Sequence, residues 1–483
     1  MEYVTQGIEP KKVLEYFEQL CAIPRGSKNE KAAAKFVENF AKERGLEFVR
    51  DEWNNVFVSK CASAGYENVP AVALQGHLDM VCEKNADTEH DFLNDPIELQ
   101  IKDGFLRANG TTLGGDDGVA VAMMLALLDD DSVSHPKIEC IFTADEEAGM
   151  SGAAGFDYSL LKAKRMINID SEEDGSAVIS SAGSQRLTVT FDREAIPAKN
   201  KFFQITIKGL MGGHSGTDIN SNRASAVKLM GGLLSFLYDA EPFEIAALGG
   251  GGLDNAIARE CTAVITVLDP EKVNGLVKSW ENSIRPTLSK ADNGFRVHTS
   301  KHKREDLMLT YKATRELISL LVLSPSGVLS MCERIPGLVE SSNNIGSVKT
   351  VCEGTHIRVT LQNLIRSCAD ALIDDIVRRF VLLGKALDAV VACSSRNFGW
   401  SPVKDSYMQK LYLTKTKELF GKEGKLVAIH AGLECGYFAT FVPGIDIISI
   451  GPDIIDIHSP KEYLDLASLE RCWQLLLAML AEK

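Results

Sequence analysis

Five short apolar segments, or the turns that leave them, each deliver a histidine or a carboxylate. Residues 71–74 run into Gly76-His77-Leu78-Asp79, and a glycine-rich turn, Thr111 to Gly115, ends on Asp116 and Asp117. Residues 138–143 lead to Asp145-Glu146-Glu147, 166–169 to Asp170, and 445–450 to Asp456-Ile457-His458. In open parallel sheets the carboxyl-terminal strand ends line the ligand crevice. Five independent surface accidents falling at such ends would be improbable, so the chain is expected to gather them around one site.

The spacing supports that frame. Val13, Leu14, Phe17 and Leu20 recur with helical period behind Pro10, residues 32–44 repeat the behaviour, and 119–129 predicts a helix between the second and third strands. Alternating strands and helices imply an α/β class, with a mostly parallel sheet and helices on both faces. From about Gln185 the pattern changes to alternating strands at 187–191, 203–207, 262–268 and 357–361, with helices expected at 224–238, 307–322 and 371–387. This suits a smaller inserted α+β domain over 187–391. The first style resumes with a helix at 405–420, a strand at 445–450 and a closing helix at 466–480, so the catalytic domain is split between 1–186 and 392–483.

With 483 residues the chain is long for a single core, and 45% apolar with 24% charged residues is ordinary for a globular enzyme. A formal net charge of -14 argues against a nucleic-acid partner, and the short basic cluster from Lys301 to Arg304 reads as a solvated surface. Residues 1–12 lack the basic-then-apolar pattern of a signal peptide, and the most apolar window, 119–128, is far below the roughly 20 residues that span a bilayer. A cytoplasmic protein without membrane partners is expected. Eleven scattered cysteines without a C-x-x-C pair indicate neither a disulfide framework nor a zinc knot.

Taken singly, each acidic turn also has a plain reading. His77 and Asp79 can mark an exposed strand end, Asp116 and Asp117 can cap a helix, and the acids at 145–147 can form a solvated turn. Together they suggest a metal cluster. On extended chain adjacent residues face opposite ways, so one of Glu146 and Glu147 can ligate while the other acts as a base. Two histidines with several carboxylates suit zinc, manganese or cobalt better than calcium.

In order, His77-Leu78-Asp79, Gly115-Asp116-Asp117-Gly118, Asp145-Glu146-Glu147-Ala148-Gly149, Asn168-Ile169-Asp170 and Ile457-His458-Ser459-Pro460 resemble the M20 family of dizinc peptidases, specifically its dipeptidases that accept aminoacyl-histidine substrates. The likeness extends through Phe398 to Pro402 and His430 to Gly436. It implies that His77 and Asp170 bind one metal, Glu147 and His458 the other, and that Asp116 bridges them. Asp79 then orients His77, and Glu146 is the general base for attack by a metal-activated water. Asp117 departs from the asparagine of many relatives, at a turn expected to hold a cis peptide after the bridging aspartate.

In the inserted domain, Gly212-Gly213-His214-Ser215-Gly216 alone would pass for a structural turn. The resemblance instead gives His214 a role in stabilising the oxyanion, supplied across a dimer or on domain closure. It places Asn255 at a matching substrate position and gives Arg366 a grip on a terminal carboxylate, with His430 and Glu434 near the free amino end. Unblocked dipeptides are the implied substrates and a homodimer the implied assembly. An N-acyl amino acid deacylase or a tripeptidase of the same dizinc architecture is the alternative.

Overall fold

The computed structural model describes residues 3–198, 201–303, 305–333 and 335–483. Arg304, the last residue of the basic cluster, lies outside them. The chain divides into two compact units: Met1–Ser181 with Trp400–Ala428 and Leu433–Lys483, and Ala182–Gly399 with Ile429–Gly432.

Among the described residues the first unit holds an eight-stranded sheet in the order Glu47–Arg50, Val56–Lys60, Ile138–Thr143, Val72–His77, Arg165–Asn168, Asp446–Ser449, Ser176–Ser181 and Lys425–Ile429. The central pairings are parallel, with His77 opposite Thr143, Gln75 opposite Asn168 and Ser449 also opposite Asn168. The pairs at Glu47–Arg50 with Val56–Lys60, Val56–Lys60 with Ile138–Thr143, and Asp446–Ser449 with Ser176–Ser181 are antiparallel. The sheet is thus parallel where it carries the acidic strand ends and antiparallel toward its edges. Val72–His77 and Ile138–Thr143 are buried at every position, the continuous apolar pattern of strands covered on both faces.

The apolar window 119–128 forms the body of the helix Gly115–Asp129, whose residues from Gly115 to Leu128 are all buried. No described helix is long and apolar enough to cross a membrane. A separate small sheet orders Ile454–Ile455, Tyr463–Asp465, Phe105–Ala108 and Leu99–Lys102. Its register pairs Ile454 with Leu464 and Leu464 with Leu106, so residues 456–462 form a loop tied down at both ends.

The second unit is built on antiparallel pairings in the order Arg296–Lys301, Lys201–Lys208, Cys261–Val267, Ile245–Gly251, Val339–Glu353, His356–Ser367, Gly183–Glu194 and Val390–Asn397, with Gly327–Met331 beside Val339–Glu353. Helices Ala226–Ala240, Pro270–Ile284, Tyr311–Leu323 and Asp370–Ala386 accompany it, and Leu187, Phe191, Ile205, Leu234, Leu317 and Phe380 belong to its own core. The helix expected from Leu307 begins at Tyr311 instead. Thr310 caps it, accepting the Ala313 N–H at 3.2 Å, while Leu307 and Met308 pair as a strand with Pro197 and Ile196.

Candidate metal centre

Each acidic segment reaches the first unit's strand ends by a different local device. His77 is the last residue of its strand and Asp79 follows on the loop; both are buried. The extended course expected for the acids at 145–147 is not what forms. Asp145 is left-handed at φ 57°, and Glu146 and Glu147 open a single helical turn. Asp79 holds that turn, its Oδ1 accepting the Glu146 N–H at 3.0 Å and its Oδ2 the Glu147 N–H at 3.2 Å and the Ser27 hydroxyl at 2.8 Å.

The helix Gly115–Asp129 is non-helical at Asp116 and Asp117, whose connecting peptide is cis. Gly76 lies beneath this turn: a Cβ there would stand 2.5 Å from both Asp117 Oδ2 and Ala120 Cβ. Asp117 itself accepts the His77 N–H at 3.1 Å. His458 is also left-handed, at φ 58°, as is Asp456 at 54°. Such outliers away from glycine cluster where a loop is over-determined by its surroundings.

The resulting geometry has Asp116 at its middle. His77 Nε2 lies 3.1 Å from Asp116 Oδ1 and 3.5 Å from Asp170 Oδ1. On the other side His458 Nε2 lies 3.2 Å from Asp116 Oδ2 and 2.9 Å from Glu147 Oε1. His77, Asp116 and Asp170 form one group able to hold an ion, and Asp116, Glu147 and His458 another, with ligand atoms within 4.8 Å of one another in each group. Glu146 adds a carboxylate to a third combination with His77 and Glu147. His77 Nδ1 lies 3.2 Å from the Asp79 carbonyl and 3.4 Å from its Oδ1, leaving Nε2 to face the cluster. The donor set, two imidazoles and three carboxylates, fits divalent transition ions.

Electrostatics agree with a place short of positive charge. Burial disfavours the imidazolium of His77, yet hydrogen bonds to Asp116 and Asp170 hold its pKa well above the ordinary value. His458 is pushed up to about 11, first by Asp116 and then by Glu147. Burial raises Asp170 to about 6 against the opposing His77, with Asp116 and Glu147 adding to the shift. Glu146 is raised well above the usual carboxylate range by burial, against His77 and with Asp170, Glu147 and Glu434 reinforcing it.

Glu434 has no exposed surface. Its Oε2 accepts from Gln75 Nε2 at 2.6 Å and Thr143 Oγ1 at 2.5 Å, so it stands behind the strand ends rather than on an open pocket wall.

The other expected residues lie in the second unit. His214 pairs in a two-residue strand opposite Ala256, beside exposed Asn255, whose carbonyl accepts the Ser215 N–H at 2.8 Å. The Thr217 N–H, at 3.2 Å, and the Gly216 N–H, at 3.4 Å, point at His214 Nδ1. Arg366 Nη2, a donor, lies 3.4 Å from His214 Nε2, and the buried Arg366 Nε has no partner among the described residues. Burial lowers Arg366 to about 10. His430 shares a 2.7 Å hydrogen bond with Ser342 Oγ, and burial with Arg366 depresses it to about 4.

Sequence reasoning missed Arg25 and Glu462. Arg25 Nη1 donates to the Leu78 and Asp79 carbonyls at 3.0 and 2.9 Å, and Nη2 to the Gly114 carbonyl. Glu462 receives the backbone of the glycine-rich turn. Neither has a motif; only a buried charge facing backbone groups betrays them.

A parallel-centred α/β unit with this donor set at its strand ends defines a metal-dependent hydrolase. The description "Peptidase family M20/M25/M40" matches residues 73–482, and the chain belongs to this M20 family of metal-dependent peptidases. It is 37% identical over 480 residues to the cytosol non-specific dipeptidase of Escherichia coli (strain K12), covering 98% of each chain. Among solved structures it is similar to the aminoacylhistidine dipeptidase from Vibrio alginolyticus, with a TM-score of 0.91, 34% identity and 99% and 98% of the two chains covered. A tripeptidase from Staphylococcus aureus shares the fold at a TM-score of 0.60 and 16% identity over 98% of both chains.

Proposed function

We propose that this chain is a cytoplasmic dinuclear metallodipeptidase that hydrolyses unblocked dipeptides, Xaa-His among them. The observation that carries the reading is Asp116, whose two oxygens face two different histidines, each backed by a further carboxylate. His77 and Asp170 are assigned to one ion, Glu147 and His458 to the other, and Asp116 to both. Zinc is the expected metal, with manganese or cobalt as substitutes. When bound, such ions acidify a water and polarise the scissile carbonyl.

Glu146 is assigned the proton transfer. Burial first, and then its neighbours Asp170, Glu147 and Glu434, favour taking up a proton, and the same group can return it to the leaving amine. Asp79 Oδ1 fixes the Glu146 N–H and Oδ2 the Glu147 N–H, so the base sits on a positioned turn. His214 and Arg366 supply donors matched to an oxyanion and to a terminal carboxylate. Asn255 and His430 are assigned to the substrate-binding surroundings, and Glu434 to support behind the amino end. Residues 187–391 are assigned as the inserted lid and dimerisation domain, 1–186 with 392–483 as the split catalytic domain, and the assembly as a homodimer.

Release of histidine from an unblocked aminoacyl-histidine dipeptide, measured for metal-stripped protein before and after zinc is restored, tests the activity. Glu146→Gln is expected to lower kcat by about 100-fold or more with metal content unchanged. Turnover of N-acylated but not free dipeptides would shift the assignment to a deacylase, and retained turnover in Glu146→Gln would remove that residue from the chemistry.

A further inference from the structure

The turn that carries Asp116 is held by a single carboxylate from another loop. Glu462 Oε2 accepts the Leu113 N–H at 2.8 Å and the Gly114 N–H at 3.1 Å; Oε1 accepts the Gly115 N–H at 2.8 Å and the Asp116 N–H at 3.4 Å. Four consecutive backbone donors converging on one side chain make an anion nest whose anion is supplied by the protein. Glu462 is buried, only 3% exposed. Hydrogen bonds to a charged acceptor are roughly twice as strong as neutral ones, so the contact fixes the turn firmly.

Glu462 also belongs to the 456–462 loop that presents His458. It follows His458 by four residues and precedes the strand Tyr463–Asp465, which the small sheet anchors. From the other direction Arg25 takes the Gly114 carbonyl. The turn is therefore held through its N–H groups by one buried charge and through a carbonyl by another. The glycines fit this grip: a Cβ on Gly114 would meet Arg25 Nη2 at 2.5 Å, and one on Gly115 would meet Glu462 Oε1 at 3.3 Å.

Resting on the assignment of Asp116, Glu147 and His458 as one metal position, we propose that Glu462 is a positioning residue for that position, locking the Asp116 turn to the His458 loop. The other position shares Asp116 but takes its remaining ligands from His77 and Asp170, which end and follow strands of the main sheet and have no bond to Glu462. Loss of the carboxylate therefore weakens both ions through the shared Asp116, and weakens more the one held by His458, for which two ligands lose their placement rather than one. The effect should be about 10- to 100-fold in affinity, the range for groups that orient ligands without touching the metal.

The test is stepwise metal titration of the full chain with Co2+, read by its visible absorbance against a competing chelator, for wild type and Glu462→Gln. The amide keeps the shape but turns an N–H2 toward backbone N–H groups. Wild type should bind two ions; the variant should lose 10- to 100-fold in one affinity and clearly less in the other, with activity recovered at excess metal through kcat rather than KM. Gly115→Ala, which crowds Glu462 without removing it, should weaken the same ion several-fold and serves if the first variant does not fold. Two unchanged affinities in either folded variant, or equal weakening of both alongside a lowered unfolding midpoint of stripped protein, overturns the proposal. Fewer than two ions in wild type overturns the dinuclear assignment itself.

Discussion

Asp79→Asn removes a charge while preserving volume at the hub that joins His77 to the Glu146 turn. In the wild-type arrangement Asp79 accepts two backbone N–H groups and the Ser27 hydroxyl, with His77 Nδ1 3.4 Å from Oδ1. An asparagine keeps one oxygen for one of the two N–H groups. If its nitrogen replaces Oδ2, the Ser27 hydroxyl can rotate to accept, but the Glu147 N–H is orphaned. His77 loses less, because the Asp79 carbonyl remains 3.2 Å from Nδ1.

A buried orphan donor costs about 1–3 kcal/mol. If about 1.4–2.7 kcal/mol of that appears as misplacement of Glu146 and Glu147 in the transition state, kcat/KM falls about 10- to 100-fold. Dipeptide hydrolysis at saturating metal, paired with a metal titration, reads the effect. The expected signature is lower kcat together with weaker binding of the ion assigned to Glu147. A variant with kcat within twofold of wild type and unchanged metal affinities would refute the assignment of Asp79 as the hub.

Two further perturbations probe packing and charge. Gly451→Ala would place a Cβ 1.5 Å from the Ser171 carbonyl oxygen, an overlap that must move backbone; thermal or urea unfolding should show a loss of about 3 kcal/mol or failure to fold, and a loss below about 1 kcal/mol would contradict the packing. Glu434 is raised to about 8 from an ordinary 4.5, mainly by burial and then by Asp170 and Asp79, against His77 and Thr143. Between those values the folded chain binds more protons than the unfolded one, so this group's contribution is present at low pH and lost as pH rises toward 8. In metal-stripped protein, urea unfolding at pH 5 and pH 8 should show a decline of order a few kcal/mol that is smaller in Glu434→Gln; equal declines would contradict it.

Periodicity made much of this structure legible. The strand ends bearing His77, Asp145 and Asp170 were readable because the apolar runs before them are continuous and the carboxylates follow directly. What was not readable depends on contacts far apart in sequence. Ile454–Ile455 and Tyr463–Asp465 are too short for a period; the first is ordered by pairing with the second, and the second by pairing with Phe105–Ala108. The Glu146 turn was expected to be extended because local sequence does not show that Asp79 caps it. Arg25 and Glu462 resemble surface charges until the fold buries them against the same glycine-rich turn.

The same concentration of charge explains both what burdens this unit and what it can bind. Asp117 and Glu146 are raised well above the carboxylate range, and Glu172 to about 8, by burial first and by neighbouring carboxylates in addition. His77 and His458 are drawn the opposite way, toward holding their protons. Asp116 and Asp79 are instead lowered, against burial, by hydrogen bonds from His458 and His77; the raised carboxylates and histidines have the sign expected of a place short of positive charge, and two divalent cations in the proposed positions would answer it while displacing those protons. Mutual repulsion would otherwise spread the carboxylates. It is opposed by anchors that bond to backbone: Asp79 to the Glu146 turn, and Arg25 and Glu462 to the Asp116 turn. Because backbone rather than surface side chains carries the restraint, the donor atoms can stay close together before an ion arrives, and the free energy of relieving their repulsion becomes available to metal binding.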